Sequence, residues 1–103
     1  MRHRRPSESE AQREAAEALA IAALGFIAAD PERLGRFLAI TGIGPASVRT
    51  AAREPRFLAG VLDHVSGDEP LLRAFAADHG IDPGEVVRAR DMIADARWEP
   101  DTP

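Results

Sequence analysis

The chain has no cysteine among its 103 residues, which excludes disulfides, thiolate nucleophiles and thiolate metal ligands. Lysine, asparagine and tyrosine are absent as well, so all 13 basic residues are arginine. An arginine-only set is typical either of planar phosphate and carboxylate recognition or of codon usage in a GC-rich genome, and the second interpretation is the simpler one. The most apolar stretch, residues 19–29, is too short to span a bilayer, which requires about 20 apolar residues.

The composition indicates one globular domain. Hydrophobic residues make up 45% of the chain and charged residues 29%, and a chain of this length has room for one modest core. The net charge of −4 is unevenly distributed, because residues 31–56 contain five arginines and two glutamates whereas residues 57–103 contain four arginines and ten acids. The basic block favours either an anion or nucleic-acid contact or packing against the acidic half.

Arginines near the amino terminus, followed by the apolar residues 19–29, loosely resemble a secretory signal. Five charged residues between positions 8 and 17 interrupt the transition that a signal peptide requires. We therefore expect a cytoplasmic protein with no membrane association. Its predicted parts are a disordered basic tail over residues 1–7, a helical domain over residues 8–98 and a frayed tail over residues 99–103.

Helix signals recur along the chain, and no segment alternates with the period of two residues that a strand requires. Acid–proline pairs mark four helix starts, glycines mark three helix ends, and Ser7 with Glu10 and Asp82 with Glu85 have the spacing of capping boxes. The predicted helices cover about residues 9–29, 31–41, 45–53, 55–65, 69–79 and 83–98. The predicted fold class is all-α, a compact single-domain bundle of about six short helices. Its expected core contains Leu24, Ile27, Leu34, Phe37, Leu58, Leu62, Leu72 and Phe75.

The first predicted helix is apolar around its circumference. Its large apolar residues lie on one broad arc, and the remaining arc holds Ala18, Ala22, Gly25 and Ala29. A helix that is apolar all round is usually surrounded by protein. We therefore expect it to be the central helix that the shorter helices wrap. The alternative is that one of its sides forms a dimer seam or a groove for a partner.

The segment Thr41-Gly42-Ile43-Gly44-Pro45 predicts a tight turn between two helices, inside the basic block. Two glycines one residue apart allow positive φ and let backbone N–H groups approach an anion; the alternative is a sharp corner between packed helices. Residues 38–48 resemble the helix-hairpin-helix motif, and this resemblance implies sequence-independent contact with a nucleic-acid phosphate. The candidate phosphate-contacting residues are the turn and three arginines near it: Gly42, Ile43, Gly44, Arg36, Arg49 and Arg53.

A second resemblance covers about residues 15–93. The segments that carry it are Ala18-Leu19-Ala20 through Phe26, Asp30 through Leu38, Thr41-Gly42, Phe57 through Asp63, and Asp68-Glu69 together with Leu71 through Ala76. Together they are similar to a family of short bacterial helical proteins known only as a domain of unknown function. The resemblance implies a single-domain, all-helical cytoplasmic protein, and it implies neither an activity nor a catalytic residue.

Other chemistry is sparse. Asp63-His64 and Asp78-His79 match no zinc-binding spacing, and histidine near a helix carboxyl end is favourable for the helix dipole alone. We therefore expect no catalytic residue, no bound metal or cofactor and no enzymatic activity. The expected function is that of a protein-interaction or regulatory module with an unknown protein partner or a weak homodimer. The alternative is non-specific nucleic-acid binding through the Gly-Ile-Gly turn.

Overall fold

The structure is a computed structural model that describes residues 8–97, and this part of the chain consists of helices joined by short turns. The helices are α1 (Glu8–Ala28), α2 (Pro31–Thr41), α3 (Val48–Ala51), α4 (Pro55–Ser66), α5 (Glu69–His79) and α6 (Pro83–Arg97). A 3₁₀ turn, Pro45–Ser47, precedes α3. No strand occurs within residues 8–97, and the predicted all-α, single-domain bundle is confirmed.

Acidic N-caps and left-handed glycines determine where several helices begin and end. Asp30 Oδ1 accepts a hydrogen bond from the backbone N–H two residues later at 2.9 Å, and Asp68 Oδ1 accepts one from three residues later at 3.2 Å. Helices α2, α4 and α5 each have proline in the first turn, where its missing N–H costs no hydrogen bond. Gly42 and Gly80 follow α2 and α5 with φ of 74°, a conformation that glycine adopts without strain.

The predicted capping box at the start of α6 is confirmed. Asp82 Oδ1 accepts a hydrogen bond from Gly84 N at 2.7 Å, and Glu85 Oε1 accepts one from Asp82 N at 3.2 Å. Two donors of the first turn, which have no partner inside the helix, are therefore satisfied by side chains. The other predicted capping box begins at Ser7, which lies outside the described residues. The two predicted tails and Trp98, the last predicted helical residue, lie outside them as well.

The third helix is shorter than predicted. Instead of one helix over residues 45–53, the chain forms the 3₁₀ turn, closed by Ser47 N donating to Gly44 O at 3.0 Å, and then the single α-helical turn of α3. Pro55 supplies the physical reason, because proline disfavours helical geometry in the residue before it. Glu54 accordingly has φ −95° and ψ 124°. Ahead of Glu54 the chain tightens into bonds of the 3₁₀ type, with Arg53 N donating to Thr50 O at 3.2 Å and Glu54 N donating to Ala51 O at 2.9 Å.

Together with α1 and α6, which also pack against each other, helix α4 forms the centre of the bundle, and it contacts α5 as well. Its buried residues are Leu58, Ala59, Val61, Leu62 and Val65. Six of the eight residues expected in the core are buried, whereas Leu34 and Leu72 are only half-buried. Val86 and Ile93 of α6, which were not in the expected core, are fully buried. The core is therefore built mainly from α1, α4 and α6.

Helix α1 is not surrounded by protein on all sides, so this part of the prediction is wrong. Its buried face consists of Ala16, Ala20, Ala23, Leu24 and Ile27. Outside this face Ile21 is 52% exposed, and Ala18, Gly25 and Ala29 of the small-residue arc are exposed as well. The physical reason is the packing, because α6, α4 and α2, the helices with the most contacts to α1, all lie against this one face.

Replacing Phe75 with alanine should lower the free energy of unfolding by about 3–5 kcal/mol, because a buried ring is lost and a cavity remains. The Phe75 ring is 1% exposed, and its centroid lies 5.6 Å from that of Phe26 and 5.3 Å from that of His79. Urea denaturation followed by circular dichroism measures the change. Ile40, which is 66% exposed, provides the control, since Ile40→Ala should cost less than about 0.5 kcal/mol. Equal losses in the two variants would contradict the assigned core.

Candidate functional site

The two glycines of the Gly-Ile-Gly turn have different conformations. Gly42 is left-handed, and its N–H donates to Leu38 O at 2.8 Å, as expected of a glycine that caps a helix. Gly44 has φ −76° and ψ 152°, an extended conformation that most residues adopt. The turn therefore requires glycine at one position only.

The backbone donors of this turn are partly used within the chain. Besides the Gly42 N–H, the Ile43 N–H donates to Thr41 Oγ1 at 3.4 Å. The helix after the turn, which a helix-hairpin-helix motif needs, is reduced to the one turn of α3. The structure does not support the resemblance to that motif, and the geometry favours a helix-capping corner over a phosphate-binding hairpin.

The three candidate arginines do not form one cluster with the turn. Arg36 Nη1 lies 3.9 Å from Asp68 Oδ2 at the start of α5, and Arg36 lines a cavity to which no residue of the turn contributes. Arg49 and Arg53 are exposed, in α3 and just after it. Ile43 lines a separate hollow of about 560 Å³ next to the start of α4. The structure thus separates Arg36 from the other predicted contacts.

A small polar cavity of about 130 Å³ lies between α2, the end of α4 and the start of α5. Its lining consists of Arg33, Arg36, His64, Asp68, Pro70 and Leu71. Of these residues, the sequence pattern pointed to Arg36 alone, and it did so for a nucleic-acid contact. No local motif joins the others, because three different helices contribute them. Within residues 8–97, no group of three or more His, Cys, Asp or Glu residues is placed to hold a metal ion.

His64 is held in this cavity by aromatic packing. Its ring meets the ring of Phe37 edge-on, with 5.1 Å between the centroids and 78° between the planes. Burial lowers the pKa of His64 below its ordinary value of 6.5; the carboxylate of Asp68 opposes this shift, the guanidinium of Arg36 adds to it and Asp63 opposes it. The imidazole is therefore mainly neutral at pH 7, with one nitrogen able to donate a hydrogen bond and the other able to accept one.

A larger groove, of about 670 Å³, runs between α1 and α6 and shares no lining residue with the polar cavity. Its apolar lining consists of Ala15, Ala16, Ala18, Leu19, Ile81, Ala89 and Met92. The polar residues that complete it are Gln12, His79, Glu85 and Arg88. Among the described side chains of α1, those that line this groove are all uncharged. An apolar groove between two helices can bind the apolar side chains of another protein.

Comparison with known proteins places the chain in one protein family. The family model described as "Protein of unknown function (DUF3572)" matches residues 13–96, and this range includes every residue that lines the polar cavity. The comparisons with curated proteins and with solved structures found no match. None of the helices within residues 8–97 combines the length and the apolar character needed to cross a membrane.

The geometry of the turn predicts different effects for its two glycines. Gly42→Ala should lower the free energy of unfolding by about 1–2 kcal/mol, because alanine is strained in the left-handed region. Gly44→Ala is the matched control: its φ is negative, and an added Cβ meets no atom within 4 Å. The control variant should be as stable as the wild type or slightly more stable. Urea denaturation of both variants tests this, and equal losses would show that the two glycines are equally required.

The lowered pKa of His64 predicts a pH dependence of stability. Because the folded state resists protonation of this ring, the unfolded chain binds the proton more readily, and stability falls as the pH drops below 6.5. Well above that pH, His64 is neutral in both the folded and the unfolded state and leaves the free energy of unfolding unchanged. Between about pH 7.5 and pH 5.5, the melting temperature of a His64→Gln variant should therefore fall less than that of the wild type. Parallel curves for the two proteins would refute the assigned environment of His64.

Proposed function

The chain belongs to this family of proteins of unknown function, and we propose that it is a non-enzymatic protein-interaction module whose partner is a second copy of itself. The open apolar groove between α1 and α6 carries this proposal. We also propose that the protein acts in the cytoplasm. In support, the apolar segment that loosely resembles a secretory signal contributes Ala23, Leu24 and Ile27 to the core.

The groove has the chemistry of a protein-binding surface. Its large apolar residues Leu19, Ile81 and Met92 are only half-buried, so part of each side chain still contacts water. Covering such surface contributes about 25 cal/mol for each Å² of apolar area removed from water. A volume of about 670 Å³ accommodates several side chains of a docked helix.

Helix geometry extends this apolar surface along α1. At 100° per residue, Ala15, Ala18, Ala22 and Gly25 form an uncharged strip that adjoins the groove. Ile21, which is 52% exposed, lies at the far edge of this strip. In the same projection Glu14 falls between Gly25 and Ile21, and Glu10 and Glu17 fall just beyond Ile21, so these carboxylates flank Ile21 and would approach the partner's groove together with it.

Self-association is favoured because one chain carries complementary features on the two sides of the uncharged strip. A projecting apolar side chain, Ile21, lies on one side and the apolar groove lies on the other. Two copies related by a twofold axis parallel to α1 would bury the strip of each and bring each Ile21 toward the groove of the partner. The net charge of −4 opposes this association, so we expect a weak dimer that salt strengthens by screening.

Nucleic-acid binding at the Gly-Ile-Gly turn has weaker support. Two of the N–H groups that would contact a phosphate already donate within the chain, and Arg36 faces Asp68 rather than the turn. Arg49 and Arg53 remain as exposed cations in this part of the chain. The acidic remainder of the protein repels a phosphate backbone.

Sedimentation equilibrium measures the proposed dimer directly. The wild-type protein should show a dimer that dissociates on dilution. Ile21→Glu should raise the dissociation constant by at least about tenfold, because a charge without a partner would be buried in the interface. Ala15→Glu should have the same effect from the groove side, since Ala15 is an exposed residue of the groove lining.

Ile40→Glu is the matched control. Ile40 is another exposed large apolar residue, but it belongs to α2 and lies outside both the strip and the groove. This variant should dimerise as the wild type does, and the melting temperature of each variant verifies that it is folded. A wild-type chain that stays monomeric at its highest attainable concentration would overturn the proposal. An equal loss of dimer in Ile40→Glu would overturn it as well.

A further inference from the structure

We infer that the polar cavity between α2, α4 and α5 binds a small oxyanion, the carboxylate or phosphate group of a ligand. A volume of about 130 Å³ suits a group of a few heavy atoms, and a wider hollow of about 450 Å³ that shares Arg36, His64 and Asp68 with the cavity leaves room for the rest of the ligand. The cavity shares no residue with the groove between α1 and α6. The inference therefore does not rest on self-association, and either one can fail without the other.

Both guanidiniums of the cavity have hydrogen-bond donors that the described chain does not use. Arg33 Nε lies 3.9 Å from Asp30 Oδ2, and Arg36 Nη1 lies 3.9 Å from Asp68 Oδ2. At these distances the pairs are ionic contacts and not hydrogen bonds, and neither guanidinium donates a hydrogen bond elsewhere within the described residues. Each guanidinium presents a planar set of N–H groups that matches the oxygens of a carboxylate or phosphate.

The side chains of the two arginines are held in place to different extents. Arg33 is held in place, because its Cζ lies 4.4 Å from the centroid of the Phe26 ring, within the range of a cation–π contact. Its side chain is 35% exposed, whereas that of Arg36 is 63% exposed. Arg33 is therefore the fixed wall of the cavity, and Arg36 is the side chain that can close over a bound anion.

The lining carries one positive charge in excess. Arg33 and Arg36 are both positive, Asp68 is negative, and His64 is mainly neutral because burial lowers its pKa. Asp68 is also fixed in position, since its Oδ1 accepts the N-capping hydrogen bond from Leu71 N at 3.2 Å. One bound monoanion would therefore balance the charge of the lining, while Asp30, whose Oδ2 lies 3.9 Å from Arg33 Nε outside the lining, adds one negative charge nearby. The anion would replace these long ionic contacts with charge-assisted hydrogen bonds.

His64 links the binding of an anion to the binding of a proton. The charged groups that face its ring are Arg36 from α2, Asp63 from its own helix and Asp68 at the start of α5. From α6, Arg90 Nη1 lies 3.7 Å from Asp63 Oδ1. A bound anion adds negative charge beside the imidazole and favours its protonated form. Binding should therefore be accompanied by proton uptake, and the affinity should rise as the pH falls toward the range in which His64 titrates.

Nuclear magnetic resonance of the His64 ring in the full chain tests the inference. Sodium phosphate and sodium acetate are titrated separately, and sodium chloride at equal ionic strength is the reference. A saturable shift with phosphate or with acetate, but not with chloride, is the expected result, and it identifies which oxyanion the cavity prefers. The absence of a saturable shift with both would overturn the inference.

Variants distinguish this cavity from other places where an anion could contact the surface. Arg33→Gln and Arg36→Gln should each weaken binding by roughly tenfold or more, because each removes charge-assisted hydrogen bonds. Arg73→Gln is the control, since Arg73 is exposed on α5 and pairs with Glu69 at 2.9 Å, outside the cavity lining. Unchanged affinity in a folded Arg33→Gln/Arg36→Gln double variant would overturn the inference even if the wild type binds the anion.

Discussion

The bundle depends on the fit between an alanine face and branched side chains. Along its buried face α1 presents Ala16, Ala20 and Ala23, whose small side chains let the backbones of α4 and α6 approach closely. The space between these three helices is filled by their larger residues, which include Leu24, Ile27, Val61, Leu62, Val65, Val86 and Ile93. Alanine loses almost no side-chain entropy on burial, so this contact orders a long helix at low cost.

This arrangement also determines where the surface sites lie. Because α1 gives only one face to the core, its other side stays open and the groove forms along its boundary with α6. Because α2 and α5 pack at the edge of the three central helices, the gap between them holds polar side chains. The polar cavity and the apolar groove are thus two results of one packing pattern.

The helix boundaries could be predicted closely because local chemistry determines them. The acidic caps Asp30, Asp68 and Asp82 and the left-handed glycines Gly42 and Gly80 act on the backbone within a few residues. The side of α1 that faces the core could not be predicted in the same way. An alanine that packs in the core and an alanine in contact with water look the same in a sequence, and only the neighbouring helices distinguish them.

The candidate site could be predicted only in part. The Gly42–Gly44 turn was recognisable, but whether its N–H groups are available depends on bonds to Leu38 O and Thr41 Oγ1. The polar cavity had no sequence signal, because its residues come from three helices whose packing order decides the contact. Arg36 illustrates what the sequence could and could not predict. It was identified as a candidate anion contact, but its neighbours in the cavity, His64 and Asp68, were not.

The contact between the first and last helices of the bundle affects how the protein is made. Helix α6 supplies Val86 and Ile93 to the same core that receives Ala20 and Ile27 from α1. While α6 is still being synthesised, α4 has no partner on that side, and helices of 11 or 12 residues such as α2, α4 and α5 are marginal on their own in water. The core of the domain is therefore complete only when α6 has packed against α1 and α4. A nascent or truncated chain without α6 would leave the apolar face of α4 open to chaperones and proteases.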